Sequence, residues 1–222
     1  MTGRDQVETV PENGSDVELL SEFDRQVNDL ILKGYPELAG LREDVFLQHI
    51  APLKERLPEL PTSGEEARIA FVIVVCNELV PSDEAMPLVE LGGKRGFTRM
   101  EADDLKRFTP LEGVELPLGS AYLVADIDTG GGTLNVTPNE AIKTIARENR
   151  SPLTIDEGVA LVTHYPEVLK TRNCFSILGS RCGDRRVTAM WISGGSPRLG
   201  WCWAGNPHSW LGSASCGSRA GG

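Results

Sequence analysis

The chain has 222 residues, 40% of them hydrophobic and 24% charged, with a mean hydropathy of −0.18 and a net charge of −10. This is the composition of an ordinary globular protein, and it excludes a disordered chain and a helical membrane protein: the longest apolar run, Ile69 to Cys76, falls far short of the roughly 20 residues a spanning helix needs. The amino terminus lacks the apolar core of a signal peptide and five cysteines is an odd number, so a cytoplasmic chain with reduced thiols is expected.

Residues 1–14, polar and holding Pro11 and Gly14, read as a disordered lead-in to a single domain over 15–222. A helical part spans 15–60. Ser15-Asp-Val-Glu18 is a capping box that opens a helix with Val17, Leu20, Phe23, Val27, Leu30 and Ile31 on one face, and Gly34 before Pro36 stops it. A second helix, about Leu41 to Leu57, places Val45, Phe46, His49, Ile50, Leu53 and Leu57 on a stripe, so an α-hairpin is predicted with His49 as a hydrogen-bonded core residue.

The mixed central segment begins at Ile69–Cys76, a β-branched run without alternation that reads as a strand buried on both faces. A short strand from Pro87 to Leu91, a turn at Gly92-Gly93, a short helix near Asp103 to Phe108 and a strand from Ser120 to Ile127 follow. Lys94-Arg95 reads as part of an exposed turn. Thr137-Pro-Asn-Glu140 and Thr154-Ile-Asp-Glu157 are capping boxes that open two further helices, and His164 falls at the end of the second, where a cation complements the helix dipole. From Cys174 the period becomes two, and 174–179, 186–193 and 199–204 read as an antiparallel meander of short strands. The fold class expected is α+β.

Charge and aromatic residues are concentrated in the glycine-, tryptophan- and arginine-rich β subregion 171–222. It holds six arginines against one acid, Asp184, for a net +5, while the other residues carry −15. All four tryptophans, four of the five cysteines and ten of the 24 glycines lie there as well. Guanidinium forks bind carboxylate or phosphate bidentately and indole rings cover flat or apolar groups, so this composition points to a small anionic metabolite as ligand. Arg181, Arg185 and Arg186 are the candidate anion donors, with Trp201, Trp203, Asn206 and Trp210 completing the candidate site. Against this stands a plainer arrangement in which Trp191, Trp201 and Trp203 fill the core side of a small sheet and the arginines pair with the acidic remainder.

The strings Cys-Phe-Ser-Ile-Leu-Gly-Ser-Arg-Cys-Gly-Asp-Arg-Arg-Val (174–187) and Leu-Gly-Trp-Cys-Trp-Ala-Gly-Asn-Pro-His-Ser-Trp-Leu-Gly-Ser-Ala-Ser-Cys (199–216) resemble an uncharacterised actinobacterial family, a domain of unknown function. Phe23-Asp-Arg-Gln-Val and Lys33-Gly-Tyr-Pro extend the likeness over most of the chain after residue 20. The resemblance implies a bacterial cytosolic protein and carries over neither a reaction nor a catalytic residue.

Other constellations are weaker. His208 is the one histidine of the subregion, so a nucleophile there would be Cys202 or Cys216 with His208 as base, or Ser213 or Ser215; neither serine has the flanking glycines of a nucleophile elbow. Cys202 and His208 are the catalytic candidates. No Cys-x-x-Cys pair exists, so no metal is expected, and no cofactor is named by any motif. Asp126-Ile-Asp-Thr-Gly-Gly-Gly-Thr133 resembles the phosphate hairpin of actin-like ATPases, but the chain lacks their two large lobes, and a flexible turn after a strand is the simpler expectation. The overall −10 argues against nucleic acid. Two functions follow: a cytosolic protein that binds a small anionic metabolite, with or without a reaction, or a non-catalytic protein-interaction or structural module.

Overall fold

The computed structural model describes residues 14–61 and 68–222; of the lead-in read over 1–14, residues 1–13 lie outside the described residues and Gly14 already belongs to the first helix. The fold is α+β. Two sheets carry it. The smaller is antiparallel, with Ala121–Ile127 between Ile69–Val75 and the C-terminal strand Ser218–Gly221. In the larger, Cys174–Ile177, Arg186–Ser193 and Ser196–Trp203 form the expected antiparallel meander, extended at its two edges by the parallel segments Leu211–Ser213 and Phe97–Thr98. The turn between the two long strands is Gly194-Gly195, both at positive φ (63° and 88°), the backbone that a two-residue hairpin requires.

The first helix runs from Gly14 to Leu32 and buries Phe23, Gln26 and Leu30. The second is shorter than its stripe suggests. It is α-helical from Glu43 to Ile50 and continues as a 3-10 helix from Ala51 to Glu59, because Pro52 and Pro58 cannot donate the backbone hydrogen bonds of a regular α-helix. Phe46, Ile50, Leu53 and Leu57 still form its buried stripe, whereas His49 is exposed on the shoulder of that stripe. The segment read as a strand from Pro87 is a 3-10 turn, Met86–Leu88, followed by a hairpin of Glu90–Leu91 and Lys94–Arg95.

Helix Ile155–His164 packs on the Ile69–Val75 strand and is buried along nearly its whole length. With the first helix it solves a problem for that strand, which among the described residues has a strand neighbour on one edge only. Gln26, fully buried, accepts from the Ile73 N–H (2.8 Å) and donates to the Phe71 carbonyl (3.0 Å), and His164 Nε2 meets the Ile73 carbonyl at 3.1 Å. Side chains thus stand in for part of the ladder that a fourth strand would have made, which closes an edge otherwise open to pairing. His164 is not the cation its place at a helix end suggests. Burial drives its imidazole down to about 3, so it is neutral and donates to Ile73.

One continuous core joins both sheets to the N-terminal helices. A satellite of Ala141, Ile145, Leu178, Val187 and Ala204 seats helix Pro138–Arg147 on the larger sheet. The C-terminal strand brings Arg219 onto Glu157: Nε and Nη2 donate to the carboxylate at 2.5 and 2.9 Å, and Tyr122 Oη (3.1 Å) and the Thr154 N–H (2.7 Å) donate to the same group.

Candidate functional site

The paired strands Arg186–Ser193 and Ser196–Trp203 bring Arg186 opposite Trp203, and the chain beyond each turns away from the sheet. Ala204 N–H donates to the Arg185 carbonyl (2.8 Å), Asn206 N–H to the Trp203 carbonyl (3.1 Å) and Asn139 N–H to the Ala204 carbonyl (3.0 Å), so these backbone bonds fix both loop ends against the start of helix Pro138–Arg147. Between them lies a concavity of about 470 Å³ lined by Asn139, Arg181, Asp184, Arg185, Trp203 and Asn206 together with Ala204 and Gly205.

Its electrostatics rest on two arginines. Among the described residues neither Arg181 nor Arg185 has a carboxylate within ion-pairing distance, and Arg181 Nε is buried without a hydrogen-bond partner. Arg185 lies over the Trp203 ring at 5.6 Å, a cation–π contact that positions it while leaving its N–H groups available. The acid in the lining is already committed. Asp184 accepts from the Arg186 backbone N–H (2.8 Å), the Cys182 thiol (3.1 Å) and Arg186 Nε (2.9 Å), and these donors hold its carboxyl down at about 2.

The other sequence candidates are placed elsewhere. Arg186 is consumed by structure: its two terminal nitrogens form a fork on Asp104 (2.6 and 2.9 Å), and it is sandwiched between Phe108 and Trp201 at 5.4 and 5.6 Å. That pair ties the short helix Ala102–Leu105 to the hairpin, and the guanidinium holds the Asp104 carboxyl below its usual range. Trp201 lies beside Trp203, their rings edge to face at 4.9 Å, and the two are 38% and 44% exposed rather than part of the core. Trp210 instead packs with Trp191 (6.3 Å) and His208 (5.3 Å).

Neither catalytic candidate lines the concavity. Cys202 points to the sheet face opposite its tryptophan neighbours, with Ser176 Oγ at 3.9 Å, and burial raises its thiol so that the nucleophilic thiolate is disfavoured. His208 Nε2 is buried with no hydrogen-bond partner, and no hydrogen bond joins it to Cys202. The remaining nucleophile candidates lie outside the recess: Ser213 is buried in the edge strand Leu211–Ser213, Ser215 Oγ accepts from Arg150 Nε (2.8 Å), and burial pushes the Cys216 thiol up to about 12. No group of three or more His, Cys, Asp or Glu among the described residues is placed to hold a metal ion.

The glycine-rich loop after Ile127 is a structural interlock. Gly130 (φ +83°) and Gly212 pass so close that a Cβ on either would lie 2.0–2.6 Å from the other segment's backbone, and Thr133 Oγ1 donates to the Gly130 carbonyl (2.8 Å). Just upstream Asp126 adopts φ +54° and is clasped by Arg150 and Arg68; burial works to raise its carboxyl, but the two guanidiniums hold it below its usual range.

Sequence reasoning missed Asn139 and Asp184 as parts of the lining. Asn139 lies inside the Thr137–Glu140 capping box, and Asp184 stands out in the sequence only as the one acid among the arginines of 171–222. The sequence over 29–222 matches the model of a family of unknown function (DUF5701), so the chain belongs to that family. No curated protein and no solved structure matches it.

Proposed function

For this member of a family without an assigned activity, we propose that the concavity beside Trp203 binds a small anionic metabolite. The observation that carries the reading is the convergence of two arginines without acidic partners among the described residues, Arg181 and Arg185, with a 44%-exposed indole on one recess of about 470 Å³. A carboxylate or phosphate would take the guanidinium donors, a flat or apolar portion would lie on Trp203, and the Asn139 and Asn206 amides would read its remaining polar groups. The net +5 of residues 171–222 on an acidic body favours anions at this end of the chain. The reading is one of binding. A reaction would have to recruit His208 or Cys202 from outside the lining.

A thermal-shift screen of phosphates, nucleotides and carboxylic acids tests it. A ligand raises the wild-type melting temperature and leaves an Arg181→Ala, Arg185→Ala double variant unmoved. A screen in which no compound stabilises the wild type more than the double variant refutes the reading. A second reading, a protein-interaction module, is favoured by the exposed Trp201–Trp203 pair, since exposed aromatic patches mark interfaces. In that case Trp201→Ala lowers the apparent mass on size-exclusion chromatography, whereas Arg185→Ala does not.

A further inference from the structure

A second concavity of about 460 Å³ opens on the other side of the two-residue strand Ser180–Arg181: Arg181 faces the anion recess, while Ser180 lines this one. Its walls are largely apolar, with Leu105, Phe108, Leu116 and Tyr122 among them, and Leu118, 93% exposed, forms a lip over the opening. Asp156, in the first turn of helix Ile155–His164, is one of its lining residues.

The Asp156 carboxylate is positioned but not saturated. Oδ2 accepts from the Asn77 N–H (3.0 Å) and Oδ1 from the Ser82 hydroxyl (3.1 Å), which fixes the group and leaves a lone pair on each oxygen. Among the described residues no cation pairs with it, although the buried carboxylates Asp126 and Glu157 each have arginine partners. The carboxylate Glu78 also lines the cavity, and Lys106, another lining residue, donates to Asp103 (3.4 Å). Burial pushes the Asp156 carboxyl up to about 6, with Glu78 and Glu157 acting in the same direction. The other titratable groups around it, Cys76, Tyr122 and Tyr35, are kept protonated and neutral by their own burial.

A largely apolar cavity lined by an ionisable carboxyl that has no cationic partner among the described residues matches a ligand with an apolar body and one positive charge. From the geometry we infer that this cavity is a site for a small hydrophobic amine, whose ammonium group pairs with Asp156 and whose apolar part lies against Phe108, Leu105 and Leu116 beneath Leu118. Its residues are not those of the anion recess apart from the shared strand, so the two sites stand or fall separately.

Benzylamine, its neutral analogue benzyl alcohol and benzoate serve as probes, titrated into the full chain by calorimetry and by backbone-amide NMR. The expected result is saturable benzylamine binding at pH 7.5, about tenfold tighter than benzyl alcohol, with benzoate excluded. The shifted amides would be those of Asn77, Phe108, Leu116 and Ile155. Asp156→Asn brings amine and alcohol to parity, Leu118→Ala weakens both without touching the fold, and Arg181→Ala, Arg185→Ala leaves amine binding intact. The amine affinity of the wild type rises between about pH 5 and pH 7 as Asp156 ionises. Parity of benzylamine and benzyl alcohol on the wild-type protein overturns the inference, as does failure to saturate or a shift pattern outside the cavity. None of these needs a variant that folds.

Discussion

Arg219 is the fourth residue from the end of the chain, yet replacing it by methionine should be among the most damaging single changes available. Its side chain is 8% exposed and the Glu157 side chain 0%. Arg219→Met removes two charge-assisted hydrogen bonds to that carboxylate together with those to Ser151 Oγ (2.7 Å) and the Pro152 carbonyl (3.0 Å). Glu157 is left buried with only Tyr122 Oη and the Thr154 N–H as donors, and an uncompensated buried charge of this kind costs about 3–5 kcal/mol. Removing both charges is different. In Arg219→Met, Glu157→Gln the amide oxygen still accepts from Thr154 and no charge remains, so the loss should fall to about 1–2 kcal/mol. Urea denaturation followed by tryptophan fluorescence measures both, and an unchanged m-value confines the effect to stability. A single variant that loses less than about 1 kcal/mol, or a double variant whose loss equals the sum of the two singles, would refute the view that this pair is a coupled buried unit.

Two further outcomes follow from the core. His164 is neutral in the folded state with its imidazole near 3, against 6.5 in the unfolded chain, so its contribution to stability is full above 6.5 and is lost as pH falls toward 3. At about 1.4 kcal/mol per pH unit the wild type should lose about 3 kcal/mol more than His164→Gln between pH 6.5 and pH 4, and equal acid slopes for the two proteins would contradict it. Gly130→Ala would place a methyl group about 2.2 Å from the Ser213 backbone at a positive φ, so it should destabilise by more than about 2 kcal/mol, whereas Gly131→Ala, with open space around it, should change stability by less than about 1 kcal/mol in the same denaturation assay.

Local signals read well wherever the chain's own neighbours supply the physics. The capping boxes at Thr137 and Thr154, the β-branched run from Ile69 and the period-two strands after Cys174 each became the element their pattern names. Local reading failed at Pro52 and Pro58, whose missing N–H groups outweigh an intact apolar stripe, and at Ser218–Gly221, too short to show a pattern and a strand only because Ala121–Ile127 offers it an edge.

What the amino-acid sequence determined by itself was the α+β class and the segment in which charge and indole are gathered, because periodicity, caps and composition are properties of neighbouring residues. What only the tertiary structure decided was the role of each side chain within it. Arg185 and Arg186 are adjacent and chemically identical, yet one lines an open recess and the other is locked to Asp104, 82 positions away, because Arg185 lies in the bend before the strand while Arg186 begins it, and only folding brings Asp104 to the second guanidinium. Asp156 and Glu157 show the same division. One capping box holds both, and the arrival of Arg219 beside Glu157 but not beside Asp156 leaves one carboxylate neutralised in the core and the other facing a cavity.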